Sequence, residues 1–346
     1  KVFCNEMNVS WLNAVIGSII NTTVTTCGSA TAHIYEAYQL QREQLLGNYT
    51  VSGVLHDTVA ALQPQAIYRR FVNTSTEALE HLIYAIAVYL LVCLSIYALI
   101  FRYKGLGNIR LPWPAANTTA KRILFVISHP DDECMFFGPL LYSLAQHKQC
   151  QIYLLCLSNG NFEKQGAKRR EELWQACTLL GIPEGNIILV NATNLPDDPN
   201  VDWKTDAVAN IILHTVESLG IQAIFTFDRD GVSQHPNHCA VYYAAASLCL
   251  ANLLPKDCKF YALDSINILR KYLSIFDIIC TCFMSKHWCI LSWQQASVIR
   301  CAMKKHESQM KWFRWLYIIF SRYMFINSMR EVNLYDVELE MQIHDN

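Results

Sequence analysis

The sequence predicts an α/β protein: a mostly parallel sheet with helices on both faces, preceded by one transmembrane helix and an uncharacterised N-terminal extension. Three observations lead there. After residue 121, short apolar runs alternate with helix-like stretches. Before it lies a run of 20 residues, 82–101, without a charge, proline or glycine. Only 16% of the 346 residues are charged, against roughly 25% in ordinary soluble domains. With 52% apolar or aromatic, such a chain needs a large buried core or a membrane. The net charge of −1 supplies no basic field to gather nucleic acid, so no nucleic-acid partner is expected.

As a helix, residues 82–101 extend about 30 Å, the thickness of a bilayer's hydrocarbon. A helix satisfies its own backbone hydrogen bonds, which hydrocarbon demands. Residues 102–122 carry Arg102, Lys104, Arg110, Lys121 and Arg122 and no acid, whereas the twenty residues before the span offer Arg69 and Arg70. The positive-inside rule therefore puts the C-terminal bulk in the cytosol. Residues 1–81 are expected to be lumenal or an artefact of gene prediction, since the chain starts with Lys rather than Met. Sequons at Asn8, Asn21, Asn48 and Asn73 agree with a lumenal location. Residues 102–120 read as a juxtamembrane linker, 121–330 as the catalytic domain and 331–346 as a tail. The 14 cysteines include no pair of CxxC motifs, so a zinc finger is not expected. Those from Cys93 onward read as small hydrophobes in a reducing compartment, and Cys4 and Cys27 can pair if they are lumenal.

Residues 122–128, 151–157, 187–190 and 223–227 read as strands. Residues 139–147, 165–180, 206–219 and 239–253 read as helices. Runs apolar on both faces and separated by helices indicate a parallel sheet covered on both sides. Ligands of such sheets bind beyond the C-terminal strand ends. No GxGxxG or GxxxxGKS follows a strand, which excludes the dinucleotide and P-loop readings.

The loop after the first of these strands reads Ser128-His129-Pro130-Asp131-Asp132-Glu133. Three carboxylates and an imidazole beside an apolar strand are costly to bury unpaired, and a divalent cation removes that cost. The loop after 223–227 ends in His235-Pro236-Asn237-His238. Across a helix start, this i, i+3 spacing brings both imidazoles to one face. Three protein ligands and an open position make a hydrolytic metal site. His129, Asp132 and His238 are the expected ligands of a divalent ion, zinc being the expected metal, although spacing alone does not separate His235 from His238. Asp131, beside a ligand, is the candidate general base, and His235 is the candidate to polarise a carbonyl or stabilise an oxyanion.

These residues resemble the N-acetylglucosaminyl-phosphatidylinositol de-N-acetylase family, the eukaryotic GPI-anchor branch of the LmbE-like deacetylases. The resemblance runs from about residue 123 to 328. It rests on SHPDDE, LSNGNFEKQG with RREEL, LPDDP (195–199), TFDRDGVSQHPNH, SINILRKY (265–272) and HESQMKWFRWLYIIFSRYM (306–324). It implies a Rossmann-like fold, a metal on His129, Asp132 and His238, a base at Asp131, a transition-state role at His235 and a substrate contact at Arg169. Arg169 reads equally well as a surface charge paired with Glu172. The resemblance further implies removal of acetate from GlcNAc-phosphatidylinositol (GlcNAc-PI), the second step of GPI-anchor synthesis. The implied place is the cytoplasmic face of the endoplasmic reticulum, with the glycolipid and the bilayer as partners. Residues 311–325 hold seven aromatics and suit either an interfacial helix or a core helix. This stretch argues against a soluble acetylated sugar as substrate. The complete set of five site residues argues against a silent scaffold.

Overall fold

The computed structural model describes residues 64–102, 109–110, 121–147, 149–198, 200–333, 335, 337 and 338. The expectations for the first 63 residues, including the Cys4–Cys27 pair, lie outside these. Two compact units divide the chain, Lys1–Val92 and Cys93–Asn346. The first described element, α1, is a 39-residue helix, Pro64–Arg102. Within it Ser75–Arg102 is long and apolar enough to cross a membrane, its most apolar 18 residues having a mean hydropathy of 2.5, and is alone in this among the described residues. In the second unit the end of α1 is tied down: the Cys93 thiol donates to Phe276 O at 3.4 Å and the Tyr97 hydroxyl to Leu291 O at 3.2 Å.

A two-residue strand, β1 (Ile109–Arg110), precedes the first long one, β2 (Lys121–Ile127). There follow α2 (Asp132–Met135), α3 (Gly138–Ala145), β3 (Cys150–Cys156), α4 (Gly166–Leu180), β4 (Ile187–Leu189), α5 (Thr205–Leu219) and β5 (Ala223–Phe227). The chain then forms the single turn α6 (Gly231–Gln234), α7 (Pro236–Leu250), β6 (Lys259–Leu263), α8 (Ile268–Lys271) and α9 (Ile278–Met284). It ends with β7 (His287–Ile290), α10 (Trp293–Met303), α11 (Trp312–Phe320) and β8 (Ile326–Glu331).

The strands form one sheet in the order β1-β7-β8-β6-β5-β2-β3-β4. The block β4-β3-β2-β5-β6 is parallel, and β8, β7 and β1 add antiparallel neighbours at one edge. Residues 123–127 of β2 are buried without exception, as a central strand covered on both faces requires. On one face Leu124, Val126 and Ile224 pack with α5 and α7 residues such as Ile212, Val216 and Val241. On the other, Phe125 meets the ring of Phe137 just before α3 and stacks on Phe225. The α/β fold expected from the sequence is therefore present.

Three differences have physical causes. Strands β1, β6, β7 and β8 were not anticipated: β1 has only two residues, and β8 buries the polar residues Asn327 and Ser328. Asn327, in β8, satisfies itself on Phe136 O at 2.7 Å and Leu140 N at 3.0 Å. The aromatic stretch also splits. In α11 only Tyr317 and Ile318 are buried, while Trp312, Ile319 and Phe320 are at least half exposed. Beyond α11, Arg322, Tyr323 and Met324 are core, with the Arg322 guanidinium 2.9 Å from the buried Asp277 carboxylate. Finally, among the described residues all twelve cysteines are free, but Cys301 is exposed.

Candidate active site

Strands β2 and β5 are neighbours, with Ile123 opposite Ala223. The sheet order reverses between them, and a crevice opens at such a point beyond the strand ends. The loops that leave these two ends carry His129 to Glu133 and Asp228 to His238. Each is held by local bonds. Asp132 Oδ2 accepts from the backbone N–H groups of Ser128 (3.1 Å) and His129 (2.9 Å), which folds the loop back on the strand end and leaves Oδ1 facing the crevice. Asp228 accepts from Ser265 N (2.7 Å) and Ser265 Oγ (2.5 Å). Gly231, at φ +53°, leaves no room for a Cβ, which would stand 2.8 Å from the Cβ of His238.

The ring nitrogens of His129, His235 and His238 can all lie within 4.8 Å of one another. Their partners fix the tautomers of the neutral His238 and His235 rings. His238 Nδ1 is 3.0 Å from Gly231 O, which can only accept, so Nδ1 carries the proton and Nε2 a lone pair. The ring is stacked on Phe227 at 4.0 Å. His235 Nδ1 accepts from Asn237 N at 3.3 Å, so its proton sits on Nε2. His129 Nε2 meets both an acceptor, Asp197 Oδ1 at 3.2 Å, and a donor, the Asn237 side-chain Nδ2 at 2.9 Å, so either tautomer satisfies one of them, and its Nδ1 lies 3.9 Å from Asp132 Oδ2.

His238 Nε2 and Asp132 Oδ1, both lone-pair atoms, stand 3.3 Å apart. Such a pair needs a cation or a proton between them. The His238 pKa reflects this: burial pulls it down, but the Asp132 carboxylate outweighs burial and raises it. Burial acts on Asp132 in the opposite sense, and His238 and then His129 overcome it, holding the carboxyl well below its usual range. Burial lowers His129 to about 3, so that ring is neutral at physiological pH. Neutral imidazoles and an ionised carboxylate are the donor set that a divalent cation requires.

Asp131 sits beside this cluster with its backbone at φ 123°, outside ordinary L-residue territory. Its N–H donates to Glu133 Oε2 at 3.0 Å. Its Oδ1 is 3.5 Å from Arg169 Nη2, and its Oδ2 is 3.0 Å from Arg314 Nη2 but takes no aligned hydrogen bond. Burial raises its pKa, and the two guanidiniums only partly offset that. Arg169 is buried rather than a surface charge. It donates to Pro130 O (2.7 Å) and Gly160 O (3.2 Å) and pairs with Asp197 Oδ2 (3.3 Å). Glu172, its expected surface partner, instead accepts from Ser308 N at 2.8 Å. All six residues singled out from the sequence thus line one cavity of about 400 Å³.

Sequence reasoning assigned no role to Asp197, Arg314 or the buried pair Glu133–His306. Asp197 lies in LPDDP and the other two distant members in the 306–324 stretch, so the motifs were visible. Their contacts with the site span 28 to 183 residues and were not.

A family model for GlcNAc-PI de-N-acetylase (PIG-L) matches residues 124–249. A Bos taurus protein named N-acetylglucosaminyl-phosphatidylinositol de-N-acetylase is 44% identical over 209 residues, covering 60% of this chain and 82% of that one. A Schizosaccharomyces pombe protein named as a probable enzyme of the same activity is 38% identical over 215 residues, covering 60% and 86%. Among solved structures, an N,N'-diacetylchitobiose deacetylase from Pyrococcus horikoshii aligns with TM-score 0.43 and 15% identity, over 70% of this chain and 93% of that one. The protein is a deacetylase. The chain belongs to the GlcNAc-PI de-N-acetylase family.

Proposed function

We propose that this chain hydrolyses the acetamide of GlcNAc-PI, releasing acetate and glucosaminyl-PI, as the metal-dependent second step of GPI-anchor synthesis. The observation that carries this reading is the pair of lone-pair atoms, His238 Nε2 and Asp132 Oδ1, meeting at 3.3 Å beside a neutral His129. His129, Asp132 and His238 would hold the ion, and the Asp197 carboxylate would orient His129 from behind. A divalent ion there, zinc in this reading, supplies a Lewis acid that polarises a carbonyl and makes water more acidic.

This chain's own residues do the rest. Asp131 Oδ2, lacking an aligned donor, takes the proton of the water that attacks the acetyl carbon and returns it to the sugar nitrogen as the C–N bond breaks. His235 Nε2–H donates to the oxygen that becomes negative. The tautomers thus favour His238 over His235 as ligand. Arg169 meets the substrate in the cavity and also steadies Asp131.

The substrate's diacyl tail belongs in a bilayer, and α1 offers a single membrane anchor around residues 82–101. The basic residues after it favour a cytoplasmic catalytic domain, 121–330, on the endoplasmic reticulum, with 102–120 as linker, 331–346 as tail and 1–81 lumenal. The test is release of acetate from GlcNAc-PI by the purified full chain in detergent, with and without chelator. Activity should vanish on metal removal, return with zinc and be absent in His129→Ala. Hydrolysis indifferent to both would refute the mechanism.

A further inference from the structure

The cavity has a second chemical character besides the imidazoles and carboxylates, contributed by Lys271 and Tyr272 at the end of α8 and by Phe313, Arg314 and Tyr317 of α11. Its two cations differ. Arg314 is committed to Asp131. Lys271 is half-buried, and among the described residues no carboxylate lies within ion-pair distance of its Nζ. The adjacent Arg270 is held by Asp277, at 2.7 and 3.1 Å. Burial and the neighbouring Arg314 both lower the Lys271 pKa, and no acid raises it. A half-buried ammonium left without a counter-charge is stabilised by an arriving anion.

The segment that carries it is braced at both ends. Ser265 is bonded to Asp228 and accepts from Val232 N at 2.7 Å, which ties the segment to the loop of His235 and His238. Downstream, Arg270 grips Asp277. Between these anchors Ile268 and Leu269 are 71% and 80% exposed, and Trp312, next in sequence to the cavity-lining Phe313, is 76% exposed. Apolar and aromatic residues of this size in the open, on two segments that line the cavity, mark a lipid-facing rim. Within the second unit the Cys93 thiol donates to Phe276 O, three residues beyond Leu273. A cation inside and apolar side chains outside complement an amphiphile whose anion joins a polar head to an acyl tail.

Resting on the reading of GlcNAc-PI as substrate, we propose that Lys271 binds the phosphodiester of that substrate and selects it over phosphate-free N-acetylglucosaminyl-inositols. The acetamide reaches the imidazole floor, the phosphodiester stops at Lys271, and the acyl chains leave past Ile268, Leu269 and Trp312. The phosphates of bulk lipid headgroups have the same chemistry, so the test must separate the two sources.

Full-length wild type, Lys271→Met and Lys271→Arg are assayed on three substrates. These are GlcNAc-PI in phosphatidylcholine vesicles, its water-soluble deacylated glycerophospho analogue, and GlcNAc-inositol without phosphate. A charged hydrogen bond of ordinary strength corresponds to roughly tenfold or more. Lys271→Met should raise KM for both phosphodiesters by about that factor relative to GlcNAc-inositol, with little change in kcat ratio, and Lys271→Arg should recover most of it. Equal losses on all three substrates would mean a structural role and overturn the proposal. A loss confined to vesicles would assign Lys271 to bulk headgroups and overturn it too. A wild type inactive on every substrate would instead sink the functional reading beneath it.

Discussion

His306 Nε2 and Glu133 Oε1 lie 2.6 Å apart, both side chains fully shut off from water, although 173 residues separate them. The other oxygen of Glu133 accepts the N–H of Asp131, so this pair forms the back wall that keeps Asp131 at its strained φ. Removing one partner strands a buried charge. Glu133→Ala or His306→Leu should destabilise the protein by roughly 3–5 kcal/mol, read from denaturant unfolding in detergent. Either change should also lower kcat more than it raises KM, because the base is displaced. An unfolding midpoint within error of wild type would contradict this account.

The same pair gives a pH dependence of stability. Burial alone lowers the His306 pKa, but the charge and hydrogen bond of Glu133 outweigh it and lift the value above 6.5. The folded state therefore holds the proton more tightly than the unfolded chain does. The resulting stabilisation is complete below about pH 6.5 and declines as pH rises through the folded value. The Tm difference between wild type and His306→Gln should accordingly be largest near pH 6 and narrow toward pH 9. A gap that widened with pH would have the wrong sign.

Asp131→Asn keeps the shape of the side chain and removes its basicity. It should lower kcat by about 10²–10⁴-fold, the range for loss of a general base, while metal content measured by atomic emission stays at the wild-type stoichiometry. Loss of metal together with activity would make Asp131 a ligand instead.

Gly160 adopts φ +70°, and a Cβ there would meet the Arg169 guanidinium at 2.5 Å. That guanidinium is pinned by Pro130 O and Asp131 and has nowhere to retreat. Gly160→Ala should cost about 1–2 kcal/mol of stability from the backbone alone and reduce kcat/KM through Arg169. Gly185→Ala, whose Cβ meets nothing within 4 Å, is the control and should be close to neutral.

Strands β2 to β5 were legible because burial of central strands on both faces leaves a local signature. Residues 223–227 form the strand expected of them, and β2 and β3 begin and end within a residue of the expected bounds. The helix read as starting at Cys239 begins three residues earlier, at Pro236, which makes His235 its N-cap. The edge strands left no such signature, since Asn327 and Ser328 are polar in sequence and buried only because partners across the sheet satisfy them.

By itself, the order of residues determined the long apolar helix, the alternation of buried strands and helices, and the two histidine-bearing loops, because each depends on neighbours within a few positions. Tertiary structure alone decided which imidazole nitrogen carries a lone pair, that Arg169 is buried against Asp131, that His306 stands behind Glu133, and that Lys271 shares a cavity with His129. The last three join segments 38 to 173 residues apart, and only the closing of the sheet brings their electric fields and hydrogen bonds to bear on one another.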